Sequence, residues 1–518
     1  MPVLGLMFLA IIGLRAFPEL QSEAWALLGV GGLLLTQSIT GQRVSRQFLK
    51  IKPCLTVIFG FSVIVGWMSF RLPQRPTLEV DPDKPVVLTL EVDRMFAEGN
   101  GQRKPRLRGL GTVTQAYGRC HALEGMPIAF DCFLPKDRDG IGVSAVGRVR
   151  GVLQRTDRPD AFPFEQYLSQ SGVFYQVRQA KWLKTLEPMQ PWESFCHHLH
   201  HRWDDILKKG SHLPEVNGVY RAMLLGQTRF MHPNQKEAFS RSGTLHLFAI
   251  SGLHIAVIAG FVFFILSFFP LPLWIPYTLG LSGLWVYIEA TGSAPSAKRA
   301  FMMVAFWLIG RLLNRQASAL GALVVAACIA LAWHPMVLYH PGFQLSYAVV
   351  AGLILYGVPL GKALERHFRP WKDLPEADRL KGIRRPIGFA YRWICEAIGL
   401  SLAASLLSTP LIIFYFKIFS PIGILLNIPL IPLSSLVIIL GLVSILSGWM
   451  GVTAVSLLLN PICEGFLFGM EKVIQWGLAI PGGVWELQHA FEGWAQVGVV
   501  GLIVWGLWNK GSFAQEKI

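Results

Sequence analysis

Charge is scarce in this chain. Only 15% of its 518 residues are Asp, Glu, Lys or Arg, against about a quarter in ordinary soluble domains, which excludes a charged, water-covered globule. Also missing is any nucleophile, phosphate-loop or paired-carboxylate motif of usable spacing, so no enzyme chemistry and no cofactor is expected from the residues themselves. Acidic residues number 32 against 47 basic ones, a formal charge of +15. That surplus alone is not a nucleic-acid footprint, because cytoplasmic loops of any membrane protein collect Lys and Arg. Cysteine is sparse, at seven. Cys54, Cys328, Cys395 and Cys463 fall in apolar segments as small core residues. Cys120 and Cys132 fall in a polar insert, where they pair if the compartment oxidises and stay free thiols if it does not. Met1 to Phe17 lacks the basic head and small-residue cleavage site of a removable signal peptide and reads as a retained span.

What is abundant is apolar surface: 52% of the residues, gathered in blocks of about 15 to 25, the length that crosses hydrocarbon. The first three blocks are Val3 to Phe17, Ala24 to Ile39 and Cys54 to Phe70. Later ones are Leu245 to Phe269, Leu273 to Ala290, Ala297 to Gly310, Ala317 to Trp333, Gly342 to Val358, Trp393 to Phe416 and Ile422 to Trp449. Basic residues in three loops agree with one topology: Arg43 to Lys52, Arg311 with Arg315, and Gly361 to Arg392 are all inside. Ser456 to Ala479, with Glu464, Glu471 and Lys472, is expected to lie along the interface before a last span near Trp494 to Trp508.

Between the membrane blocks the pattern switches to alternation, over Pro85 to Asp93, Arg106 to Ala116, Met126 to Leu134, Val143 to Leu153 and Gly172 to Leu183. Five short strands suit a small closed barrel of the OB type, with a sandwich as the alternative. Pro191 to Gly210 reads as an amphipathic helix, followed by a second helical stretch near Val216 to Gly226. The fold class is thus a polytopic α-helical membrane protein with an inserted small OB-like β-barrel on the extracytoplasmic side. Its parts are residues 1–70 (first helices), 71–190 (barrel), 191–244 (helical connector at the outer surface) and 245–518 (second membrane block).

Polar residues inside the second block are the candidates for chemistry, since they are costly in lipid. Ser251, Gly252 and His254 interrupt Thr244 to Ala256, either as small-residue helix packing with satisfied histidines or as a wet, locally open backbone. Lys298 and Arg299 open a span at its outer end, against the positive-inside bias, either at a channel mouth or as headgroup anchors. Gln344 and Ser346, two apart, point to different sides of a helix, so one of them meets protein or water. Asn427, Pro429 and Pro432 interrupt a later block and free backbone carbonyls. In the insert, Arg103, Lys104, Arg106 and Arg108 form a basic patch that either follows a nucleic-acid backbone, with Phe96 or Tyr117 for stacking, or is a solvated turn. Cys196-His-His-Leu-His-His201, with Asp204 and Asp205, has metal-ligand residue types and places His197 and His201 on one helix face. No second ligand set of suitable spacing follows, and no metal is expected.

Several segments, in order, resemble the ComEC family of competence proteins, the inner-membrane channels of natural transformation. They are Arg158 to Leu168 with Gly172-Val, Arg221 to Gln227, Leu245 to His254, Ala297-Lys-Arg-Ala300, Phe343-Gln-Leu-Ser-Tyr347 and Asn427 to Pro432. The Ser251-Gly-Leu-His254 core is the specific element. The resemblance implies that Ser251, Gly252, His254, Arg299, Gln344, Ser346 and Asn427 line or shape a DNA path and that the insert receives DNA outside. Many family members continue into a metallo-β-lactamase-like nuclease. This sequence contains no His-x-His-x-Asp-His motif, so degradation of one strand is expected to fall to another polypeptide.

The expected function is therefore translocation of single-stranded DNA across the plasma membrane, with the bilayer, a separate nuclease and other uptake proteins as partners. Two rivals stand beside it: a membrane enzyme with His254 as base acting on a lipid or glycan, and a non-catalytic anchor for a ligand-binding insert.

Overall fold

The computed structural model describes residues 85–99, 106–135, 140–158, 168–169, 171–272, 274–313, 318–368, 384–487, 498–499 and 501–503, with Trp67, Leu78 and Glu165. The three N-terminal blocks, Arg103, Lys104, most of the loop after Gly361 and the residues beyond 503 lie outside these. Two compact units are present: Met1–Pro191 with Val324–Phe343, and Trp192–Leu323 with Gln344–Ile518.

In the first unit the alternating runs form five strands: β1 (Pro85–Gly99), β2 (Arg106–Ala116), β3 (Pro127–Phe133), β4 (Val146–Arg155) and β5 (Tyr175–Glu187). They close into a barrel in the order β1-β2-β3-β5-β4, which fulfils the OB-like expectation over the sandwich. All pairings are antiparallel except β3 with β5. Closing so few strands demands strong bending, and register shifts in β1 and between β4 and β5 supply it. Every second side chain points inward, so Leu88, Leu90, Val92, Leu107, Val113, Val149, Leu153, Val177 and Trp182 make one core. Trp182 fits because position 147 is glycine: a Cβ there would lie 1.9 Å from the indole.

Cys120 and Cys132 are free thiols in the structure, both buried. Cys132 faces the barrel core from β3 while Cys120 sits in the 3-10 turn Gly118–Leu123. Burial pushes both thiols up, so neither is primed for exchange. Glu165, also buried, accepts from Gln176 Nε2 (2.5 Å) and Arg178 (2.6 Å), which ties it to the start of β5.

The second unit begins with α1 (Pro191–Lys208), α2 (Pro214–Leu225) and α3 (Pro233–Arg241). Each opens with proline at a first-turn position, where a missing N–H costs nothing. Gly226 at φ 74° ends α2, and a His232/Gln235 capping box starts α3. Then follow α4 (Gly252–Leu266), α5 (Trp274–Ala290), α6 (Pro295–Leu312) and α7 (Ala319–Trp333), of which Val324 onward belongs to the first unit. After them come α8 (Pro341–Gly352), α9 (Val358–His367), α10 (Arg384–Phe416), α11 (Pro421–Trp449) and α12 (Thr453–Leu478).

The chain is a multi-pass membrane protein: among the described residues five helical stretches are long and apolar enough to cross, Leu245–Leu266, Pro341–His367, Pro386–Phe416, Pro421–Trp449 and Thr453–Leu478. The last covers the stretch expected along the interface, and it is long and apolar enough to cross. Glu464 looked incompatible with a span, yet it is 1% exposed and fully occupied. Its Oε2 accepts the N–H groups of His212 and Leu213 (3.1 and 3.2 Å) and its Oε1 accepts from Asn217 (2.9 Å). Asn460, one turn earlier, donates to the carbonyls of Ile206 and Lys209, both at 2.9 Å. Together the two pin the turn between α1 and α2 to α12. By contrast α5 has only 17 residues and α6 carries Lys298, Arg299 and Arg311, so neither meets the length and charge requirement for a span.

In lipid there is no hydrophobic drive between helices, so close packing must hold them together. One close approach is between α9 and α10: a Cβ at Gly399 would lie 2.3 Å from the backbone nitrogen of Gly361. A π-turn, Leu353–Gly357, joins α8 to α9 just before this contact. One apolar core joins α2, α4, α11 and α12 through Tyr220, Leu224, Ile255, Leu430, Val437 and Leu467. Another joins α8 to α10 through Ala348, Ala351, Ala403 and Leu407. Pro429 and Pro432 leave α11 one continuous helix, where an interruption was expected.

Candidate functional site

The apolar stretch from Leu245 is broken within itself. A 3-10 turn, Leu245–Leu247, gives way to extended backbone at Ser251 (φ −129°, ψ 174°), and only at Gly252 does α4 begin. Ser251 holds the N-cap position but its hydroxyl does not cap; it pairs instead with Nδ1 of His254 at 2.9 Å. The first-turn amides of α4 therefore lack a capping side chain and carry the positive end of the helix dipole. The other ring nitrogen of His254, Nε2, is buried with no hydrogen-bond partner, and the residue is 0% exposed. An orphaned polar atom of this kind costs about 1–3 kcal/mol, so it marks a place built for something other than stability.

The start of α6 lies against this break. Ser296 Oγ donates to the carbonyl of Ile250 at 2.9 Å, and a Cβ on Gly252 would touch that of Ala300 at 3.6 Å, an ordinary contact. Arg299, next to Ala300, is 5% exposed. Its neighbour Lys298 turns away, neutralised by Glu289 at 3.3 Å and resting over Trp285. The two cations that open this helix therefore separate into an anchor, Lys298, and a buried charge, Arg299.

Ser251, Gly252 and His254 are thus brought together, with the start of α6 that carries Arg299 packed against them, whereas Gln344 and Ser346 belong to α8, half-buried. Gln344 Oε1 accepts from Tyr415 on α10 at 3.0 Å. Asn427 stands on α11 with Oδ1 buried and unpartnered, and α11 packs against both α4 and α10. The seven residues form two groups, with the helix of Asn427 between them.

A polar relay that the sequence did not reveal lies in the connector. Arg221 donates to both carboxylate oxygens of Asp204 (2.5 and 2.9 Å) and from the same Nη2 to Gln227 Oε1 (2.9 Å). Gln227 Nε2 donates to His200 Nε2, and His200 Nδ1 donates to the carbonyl of Ala290 at 2.8 Å. Each bond fixes the next, so His200 is neutral with its proton on Nδ1. Burial pushes Asp204 up, but Arg221 and Lys208 outweigh it and hold the carboxyl below its ordinary value. Burial drives His200 down to about 4. Arg221 and Gln227 were visible as motif residues; Asp204 and His200 were read only as part of the histidine cluster, because their partners lie elsewhere in the chain.

On the barrel, Arg106 and Arg108 both lean on Asp131 (4.0 and 3.1 Å), so the expected basic patch is partly neutralised. Arg103 and Lys104 lie outside the described residues. A different face stands out. Arg150 pairs with Lys181 and Arg148 with Lys184 across β4 and β5, all pointing outward. Like charges placed opposite each other destabilise a sheet, and among the described residues no carboxylate reaches Arg150, Lys181 or Lys184. Beside them Tyr117, 46% exposed, accepts from Arg148 at 2.8 Å.

Comparison with known proteins gives three findings. Residues 223–512, more than half of the chain, match the profile of the family described as Competence protein. The chain is similar to ComE operon protein 3 of Bacillus subtilis (strain 168), 25% identical over 288 residues, covering 55% of this chain and 33% of that protein. It is also similar to Recombination protein 2 of Haemophilus influenzae, 24% identical over 334 residues, covering 60% of this chain and 38% of that one. It spans between about a third and two fifths of the length of these relatives, and no solved structure matches.

Proposed function

The chain belongs to the Competence protein family, and from that premise we propose that it carries single-stranded DNA through the plasma membrane during DNA uptake. The reading is one of transport rather than catalysis. DNA arriving outside meets the barrel face of Arg148, Arg150, Lys181 and Lys184, where Tyr117 offers a ring for base stacking. The strand then passes between the helices of the second unit, and other uptake proteins, a nuclease among them, act beside it.

One observation carries this reading: a helix begins inside an apolar span, uncapped, beside a buried Arg299 and the unpartnered Nε2 of His254. Phosphates do not cross hydrocarbon, and a path for them must supply backbone dipoles, positive charge or water. A broken helix whose N-terminus faces the substrate supplies the first, as half-helices do for anions in transporters. Arg299 supplies the second. If Ser251 donates to Nδ1, His254 Nε2 is a proton donor facing the same region.

The Ser251–His254 contact favours a second reading, a nucleophile with its base acting on a lipid or glycan. Such a base needs a third group to orient it, and Nε2 of His254 has none. The test uses fluorescent DNA in a transformable strain whose own copy is replaced by this gene. Arg299→Ala and His254→Ala should abolish cytosolic signal while surface binding persists. Normal internalisation in both variants would remove the assigned path, and turnover of a membrane lipid by the purified protein would favour the enzyme.

A further inference from the structure

Apart from the relay, α1 carries one more constellation. His197 and His201, one turn apart, bring their Nε2 atoms to 3.2 Å, with ring centroids 4.4 Å apart and planes at 75°. Two imidazoles on one zinc ion, with bonds of about 2.0–2.1 Å at tetrahedral angles, hold their nitrogens about 3.3–3.4 Å apart. The two nitrogens, hydrogen-bonded to each other, already stand at close to the separation a metal would give them. Glu193 lies one turn earlier on the same face, where side chains four apart are neighbours, and its Oε2 is buried without a hydrogen-bond partner.

We infer that His197 and His201 form a binding site for a late first-row divalent metal ion, Zn²⁺ foremost. Imidazole nitrogen suits such ions. Among the described residues no group of three or more ligands is preassembled, so the site is two-coordinate from protein, completed by water or by Glu193 after a side-chain rotation. Its place gives it a consequence. The same helix presents His200, within that turn, and Asp204, one turn further on, to the buried relay, so a metal clamping 197 to 201 stiffens the helix that positions them. The inference does not depend on the transport reading.

The test is calorimetric titration of ZnCl2 into the full chain, purified in detergent with an affinity tag that contains no histidine and stripped with chelator. One saturable equivalent is expected. His197→Gln and His201→Gln should each lose it, while His198→Gln should keep it, because the His198 ring bonds the carbonyl of Ser194 at 2.7 Å. All three variants should melt like the parent in chelator, which shows that they fold. Absence of saturable binding in the parent, or undiminished binding in either of the first two variants, would overturn the site.

Discussion

Asp204 and Arg221, 17 positions apart and on different helices, face each other through two hydrogen bonds of 2.5 and 2.9 Å, with Arg221 only 8% exposed. Lys208 joins the same carboxylate from solvent at 2.6 Å. Removing one partner of a buried pair strands the other charge and costs about 3–5 kcal/mol, whereas an exposed contact is worth about 1 kcal/mol or less. Asp204→Ala should therefore lower the melting temperature of the detergent-solubilised protein far more than Lys208→Ala. The double change Asp204→Leu with Arg221→Met should recover most of the loss. Equal effects of the two single changes would contradict this ranking.

His200 gives a pH dependence of definite sign. Its value of about 4 when folded lies below 6.5 for the free group, so between these limits the unfolded chain binds more protons. Stability is then complete above about pH 6.5 and is lost as pH falls toward about 4, by on the order of 3 kcal/mol. Asp204, also depressed, adds its loss only below about pH 3.9. Denaturant unfolding across pH 4 to 7 should show the slope, and His200→Gln should flatten it.

The barrel face separates two cation sets. Arg150→Ala and Lys181→Ala, measured in the full chain, should each weaken single-stranded DNA binding regardless of sequence and reduce the salt slope by about 0.7. Tyr117→Ala should cost about 1–3 kcal/mol if a base stacks there. Arg106→Ala and Arg108→Ala should matter less, since Asp131 already competes for both. Filter binding across a salt series distinguishes the two sets, and a dominant effect of Arg108 would reverse the assignment.

Glu464 is expected to be indispensable to the α1–α2 turn. Glu464→Ala leaves the amides of His212 and Leu213 and the side chain of Asn217 without their acceptor, each worth about 1–3 kcal/mol when buried. Limited proteolysis should nick the variant between Lys208 and Pro214 much faster than the parent. Glu464→Gln, which keeps an acceptor oxygen, should fall between them.

Both barrel thiols should resist alkylation until the protein is denatured and then label fully without reductant. A requirement for dithiothreitol would reveal a bond between Cys120 and Cys132.

Local patterns were legible in the sequence and long-range partnerships were not. Arg106 to Ala116 alternates cleanly and is β2 with both ends as read; Ile422 to Trp449 is α11 to within one residue. The break at Ser251 was one of two readings of Thr244 to Ala256, because Ser and Gly serve helix packing as well as an open backbone, and only backbone geometry decides between them. Thr453–Leu478 was read as interfacial from Glu464, Glu471 and Lys472, while the cost of burying Glu464 is cancelled by donors some 250 positions away. Asp204 was grouped with a histidine cluster by proximity in sequence, and its true partner is Arg221.

The order of strands in the barrel also sets when it can exist. β5, the last to be synthesised, is the only neighbour shared by β3 and β4. A ribosome that has released everything up to Arg155 leaves both of those edges unzipped, and the ring shuts only once Tyr175 to Glu187 have cleared the insertion machinery. The domain is therefore expected to mature in a single late step, as its keystone strand arrives, with the first helix of the second unit following directly behind.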